Sequence, residues 1–442
     1  MLAVPFCEVR KRTLPMNIVF GDRQTSYRTS VACFLALLMA GSTAACTSAG
    51  AHPTAPQRAS PLVRTIRLSQ SPFAVIDDPR SRRVFVLNGH DSNAINDGSG
   101  LLSLSSVSVL DAATGSLVHT VPFSGYVSRV VTVDARTGRV WLIKRSLTAN
   151  SPGTLLVLDG TTGMLLRTIP VGSDPNAIGI DPYARHVFVS GDRNVHILDE
   201  TTGALLDTVP GAGPPFMVLV DARHARVRLL SGTEEVVLDE TTGAVLSDVS
   251  VPTQGNEGPA AFVVDERVGH IIVDLYDEST RGERVCVVAL ATGRLLHCSQ
   301  SSYIDYMGGA PMAVDTVTGR VFAVSTSHSS NPGPVIINVL DTHTGRRVRA
   351  DTLSISSTRV SLAVDDRASR VFVVNEDPFT SGIMPGRLTT LDARTGQIVH
   401  TETAGKGTWE ANPAVAVDDS AGRVFVANTI DKTISVFDAR RL

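Results

Sequence analysis

The chain has 442 residues, a formal net charge of −3, 19% charged residues and 5% aromatic residues. That length allows two or three ordinary domains or one large repeat protein. The near-neutral balance gives no argument for a nucleic-acid binder, and the scattered glycines and prolines fit many turns rather than a low-complexity chain.

Residues 1–46 read as an export signal. Arg23 and Arg28 precede "VACFLALLMAGSTAAC": a short positive region, an apolar stretch too short to span a bilayer, then small residues before Cys46. The "STAAC" ending resembles a bacterial lipobox, in which Cys46 becomes the lipidated first residue. Ordinary cleavage near Ala45 without lipid is the alternative, and Met16 is an alternative start. Residues 47–60, "TSAGAHPTAPQRAS", read as a flexible tether.

From residue 62 to 442 one unit recurs. It opens on a short apolar strand that ends at an aspartate: Asp78, Asp134, Asp181, Asp221, Asp265, Asp315, Asp365 and Asp418. The mean spacing is about 49 residues, and periods near 40–50 with several short strands per unit indicate propeller blades. Each unit then carries a strand such as "RVFVLN", a strand such as "VSVLD", a D-x-x-T-G turn and a strand such as "SLVHTV". These runs alternate only partly, as strands covered on both faces do. Small residues in the first strand, such as Ala177, Gly179 and Ala416, suit the crowded axis.

The last unit stops at "TISVFDARRL", one strand short. The segment "LVRTIRL" (62–68) matches the fourth-strand phrases "LVHTVPF" and "LLRTIPV" and has no earlier strands of its own. It is therefore expected to complete the last blade, which leaves no open edge at the seam. The fold predicted is all-β: an eight-bladed propeller of four-stranded antiparallel blades, closed by an N-terminal strand that completes the C-terminal blade.

Spacing separates two faces. The connection after each first strand is constant in length, and so is the D-x-x-T-G turn; in an antiparallel meander these alternate turns share one side. The other two connections vary and share the opposite side, where binding residues on a rigid scaffold usually lie. The variable connections carry His90, Asp91 and Asp97, then Tyr276 and Asp277, then Tyr303, Asp305 and Tyr306, then Asn375 and Glu376, then Trp409 and Glu410. Arg129, Asn176 and Arg359 precede first strands and are placed to face the channel mouth. Aromatic residues beside acids suit recognition surfaces. Each group taken singly also fits a solvated loop, and Arg129 fits equally an ion pair with the next blade.

The five cysteines sort themselves. Cys7 and Cys33 leave with the signal and Cys46 takes the lipid. Cys286 and Cys298 stand symmetrically about Thr292 across a predicted hairpin, which sets them opposite one another as disulfide partners in an oxidising compartment. Two buried thiols are the alternative. No His or third Cys sits at the spacing a metal would need. The D-x-x-T-G aspartate reads as a turn cap, with glycine supplying positive φ. The chain has no haem-attachment motif, nucleophile elbow, H-E-x-x-H, P-loop or dinucleotide fingerprint.

With "VFVLN", "VFVVN" and "VFVAN" in second strands, placing Asn88, Asn375 and Asn428 at the motif's asparagine, the repeat resembles the bacterial YVTN-type β-propeller family as a divergent member. The name motif's Tyr and Thr are absent. The resemblance implies an exported or surface-located propeller. Its relatives span binding proteins, periplasmic propellers, lactonases and quinoprotein-type dehydrogenases, and no catalytic residue transfers.

Two functions fit. One is a non-enzymatic, monomeric binding scaffold at the cell envelope, membrane-attached through its N-terminal lipid alone, with no cofactor and a protein or glycan on the variable face. The other is a metal-assisted hydrolase or lyase, lactonase-like, at the channel mouth. There a divalent cation would activate water, and Asp91, Asp97, Asp305 and Glu376 are the first candidates for ligands or bases.

Overall fold

The computed structural model describes residues 60–89, 104–134, 136–145, 152–173, 175–181, 183–191, 194–210, 217–221, 224–231, 234–250, 257–277, 282–301, 311–326, 334–356, 359–376, 386–406 and 414–442. Their strands form eight four-stranded antiparallel sheets, set as blades in a ring. Blade 1 comprises Pro72–Asp78, Arg83–Asn88, Leu104–Asp111 and Leu117–Ser124. Blades 2 to 7 repeat that order, opening at Tyr126, Ala177, Met217, Glu257, Met312 and Arg359. Blade 8 takes three strands from the C-terminal end, Ala414–Asp418, Arg423–Asn428 and Thr433–Asp438, and its fourth, Leu62–Arg67, from before blade 1.

The expected closure is therefore present. Leu62 lies opposite Phe437, Arg64 opposite Val436 and Ile66 opposite Ile434. The pairing continues past both strand ends, where Leu68 N–H donates to Lys432 O at 2.8 Å and Asp438 N–H to Pro61 O at 2.8 Å. Blade 8 thus presents no bare third strand.

The reason these runs become fully covered strands lies in blade stacking. In Arg83–Asn88, Val84 and Val86 share a core with Phe425, Ile434 and Val436 of blade 8. Their neighbours Phe85 and Leu87 point the other way and share a core with Val140 and Leu142 of blade 2. All four are fully buried. A period-two strand covered on both sides needs apolar residues at every position, which is why the second strands read as unbroken runs. Each such side chain removed from water contributes about 1.5–3 kcal/mol. The same two-sided packing joins blades 2 and 3 around Trp141 and Ile143, and blades 7 and 8 around Phe372 and Phe437.

First strands line the middle of the ring and lie against one another, blade 1 touching blades 2 and 8, and blade 3 touching blades 2 and 4. Small residues permit this approach: a Cβ on Gly179 would stand 2.5 Å from Val218 Cγ1 of the next blade. All eight repeat aspartates are buried at the ends of these strands. They cap the following turn, as where Asp78 Oδ1 accepts from Arg80 N–H at 3.1 Å and Asp315 Oδ1 from Val317 N–H at 2.9 Å.

Candidate functional site

The blade topology sorts the connections by side. Four residues separate the first and second strands in every blade, as from Asp78 to Arg83, and in blades 1 to 7 five separate the third and fourth, as from Asp111 to Leu117. Both kinds lie on one face, the constant face. The connections between second and third strands, and between blades, lie on the opposite, variable face. They range from the single residue between Ser124 and Tyr126 to the long spans from Asn88 to Leu104 and from Ser301 to Met312.

His90, Asp91, Asp97, Tyr303, Asp305, Tyr306, Trp409 and Glu410 lie outside the described residues. For Arg129, Tyr276, Asp277, Arg359 and Glu376 the backbone is described. All five belong to strands, with Tyr276 and Asp277 extending the second strand of blade 5 and Arg129 within the first strand of blade 2 rather than ahead of it. The pairing of that strand shifts register between Val127 and Val131, around Arg129. Arg359 and Glu376 are direct cross-strand backbone partners at the end of blade 7.

Asn176 and Asn375 are described in full. Asn176 sits just before the first strand of blade 3 and accepts through Oδ1 from Arg145 Nη2 of blade 2 at 2.6 Å. Arg145, which the sequence reading passed over, thereby ties the variable-face ends of two blades. Asn375 is buried. It occupies the place held by Asn88 and Asn428, whose Nδ2 groups donate to third-strand hydroxyls, Ser108 at 2.9 Å and Ser435 at 2.9 Å.

The constant face carries a second constellation. Asp77, in the first strand of blade 1, is pushed up to about 8 by burial and by the charges of Asp418, Asp78 and Asp419. Asp419 of blade 8 is pushed up to about 7 by burial and by Asp365, Asp366 and Asp418. Asp366 of blade 7 is also raised, chiefly by burial, although Thr316 of blade 6 donates to it at 2.9 Å. An arc of carboxyls therefore runs from blade 6 to blade 1 across the seam, at the ends of the inner strands. Its sequence signal is the doubled aspartate, Asp77-Asp78, Asp365-Asp366 and Asp418-Asp419. Burial and the neighbouring Asp181 raise Glu240 to about 7. Glu200 is raised likewise by burial and Asp134, while Arg136 Nη2 donates to it at 2.5 Å. Asp77, Asp419 and Glu240 can hold protons near neutrality. Among the described residues, no group of three or more His, Cys, Asp or Glu side chains is placed to hold a metal ion.

Each D-x-x-T-G turn is closed by its own aspartate. Asp111 Oδ1 accepts from Thr114 N–H at 2.9 Å and from its hydroxyl at 2.8 Å. The Thr114 backbone bond leads in holding the Asp111 carboxyl below its ordinary range. The turn of blade 5 lacks the aspartate, with Ala289 in its place, and keeps the same backbone bond, Gly293 N–H to Ala289 O at 2.8 Å. In that blade Cys286 and Cys298 are direct cross-strand partners, with sulfurs 2.08 Å apart.

No protein-family model matches the chain, and no curated protein matches it in sequence. Among solved structures it is similar to the computationally designed protein Ika8, with a TM-score of 0.60 and 16% identity over 86% of this chain and 100% of that one. It is also similar to BamB from Moraxella catarrhalis, with a TM-score of 0.54 and 17% identity over 85% of this chain and 99% of that one. At such identities the likeness is one of fold: the chain is an eight-bladed β-propeller.

Proposed function

We propose that this protein is a non-enzymatic, monomeric binding scaffold of the cell envelope, a divergent relative of the YVTN-type propellers. In this reading it is exported, anchored through lipid on Cys46, and takes a protein or glycan on its variable face. One observation carries the proposal: connections of fixed length gather on one face, and connections of variable length, rich in Tyr, Trp and acids, gather on the other. A rigid ring that varies only on one rim is suited to recognition. The Cys286–Cys298 bond supports a compartment outside the reducing cytoplasm.

The test places a photo-crosslinking residue at Tyr306, at Trp409 or at Gln397, the last on the constant face, in the intact envelope. Adducts with one defined partner are expected from Tyr306 and Trp409 and not from Gln397. Adducts from Gln397 with none from the other two would overturn the reading, as would a stoichiometric divalent metal in the purified protein.

A further inference from the structure

The constant face is layered. Its outermost layer is guanidinium: Arg82, Arg185, Arg267, Arg294, Arg346 and Arg394 are all exposed in its turns. Among the described residues of those turns, Glu266 is the exposed carboxylate. The other acids are less exposed, the repeat aspartates buried and the D-x-x-T-G aspartates half-buried and folded onto their own threonines. The fourth strands, just outside these turns, open on exposed apolar pairs: Leu117 and Val118, Leu165 and Leu166, Leu205 and Leu206. In the turns themselves Tyr183 is 79% exposed and Val317 56%. The described chain also enters the fold here, because Leu62 begins the outer strand of blade 8 at the end where other blades have their D-x-x-T-G turn. The segment that precedes Leu62 in sequence therefore joins the propeller at this face.

We infer that the constant face docks on an anionic membrane surface. Arginine matches phosphate oxygens with paired donors, and half-exposed leucines and valines beside it suit the boundary between headgroups and acyl chains. The deeper carboxylates hold down the net field, so attachment depends on guanidinium groups in direct reach of lipid phosphate and weakens as salt screens them. The chain's point of entry favours a lipid surface over other anionic partners, since Cys46, the lipid site of the proposed function, joins the propeller on that side through residues 47–61. The inference stands apart from the variable-loop reading: a bare membrane contact and an unoccupied loop rim are compatible, and so is the reverse.

The experiment uses the full chain with vesicles of phosphatidylcholine alone or mixed with phosphatidylglycerol. Arg346→Glu with Arg394→Glu should lower affinity for the anionic vesicles by about tenfold or more, at a few-fold per basic residue, and leave binding to neutral vesicles unchanged. Hydrogen exchange on the unmutated protein supplies a second readout independent of any variant's folding. Anionic vesicles should slow exchange in turns 342–346 and 393–397 and not in 429–432 on the variable face. Equal binding by the charge-reversed protein overturns the proposal. So does exchange that is unchanged at both constant turns, or a dimer in vesicle-free sedimentation that protects the same turns, which would assign the face to a second copy.

Discussion

Gly163 shows how much one position in a turn can carry. Its φ is +69°, and a Cβ there would stand 2.3 Å from Val109 Cγ2 of the preceding blade. Gly138, in a first turn, has the same φ of +69° with nothing within 4 Å. The pair separates two costs. Gly138→Ala should cost only the backbone term, about 1 kcal/mol. Gly163→Ala should cost about 3 kcal/mol, because the turn must lift off the neighbouring blade as well. Urea denaturation of the two variants measures the difference. That first turns tolerate the left-handed region without glycine is plain from Arg82, Arg185, Ala225 and Ser369, all with positive φ. The D-x-x-T-G pattern was readable from sequence as a turn needing positive φ. That its glycine is also the point where one blade rests on another was not readable, because the contact joins residues about a blade apart.

Among the elements, the inner strands of blades 1 and 8 hold the most consequential charges. Asp77 takes up a proton on folding, since its carboxyl is raised from 3.8 to about 8. Folding is thus unpenalised at acid pH, and stability falls as pH rises from the ordinary carboxylate range to about 8. Asp77→Asn should flatten that fall: equal stability to the parent near pH 4, and roughly 1–3 kcal/mol more at pH 8.5. Parallel chemical denaturation at the two pH values checks it, and an unaltered slope would remove Asp77 from the account. The strands, their order and the seam were legible because a period near 49 repeats eight times and its fourth phrase appears before the first unit. The carboxyl arc was not, since doubled aspartates look like solvated turn residues until adjacent blades bring them together. The same holds for the residue that opens each second strand. Arg83 Nε donates to Thr161 O of the next blade at 3.2 Å, Arg139 Nη1 to Glu200 O at 3.1 Å, and His270 Nδ1 bonds Thr342 O at 2.8 Å. On the page these are scattered cations; in the ring each fastens its blade to the next.

For the whole molecule, the seam is fastened like any other junction. Arg423 Nε of blade 8 donates to Ala113 O of blade 1 at 3.2 Å, and Thr429 Oγ1 donates to Pro72 O at 3.1 Å. Arg441 Nη1 reaches Ser60 O at 3.4 Å. Asp438 precedes Ala439, Arg440, Arg441 and Leu442, and Pro61 precedes Leu62. Peptide-bonding Leu442 to Pro61 would place five residues between Asp438 and Leu62, as from Asp111 to Leu117. The place where the polypeptide is cut is then arbitrary. A circular permutant that starts at Gly203, ends at Thr202 and omits residues 1–60 should fold to the same ring with its velcro moved to blade 3. Its circular dichroism and sedimentation should match the parent's, and collapse of the permutant would mean that the native seam has a role in assembly that no other junction can assume.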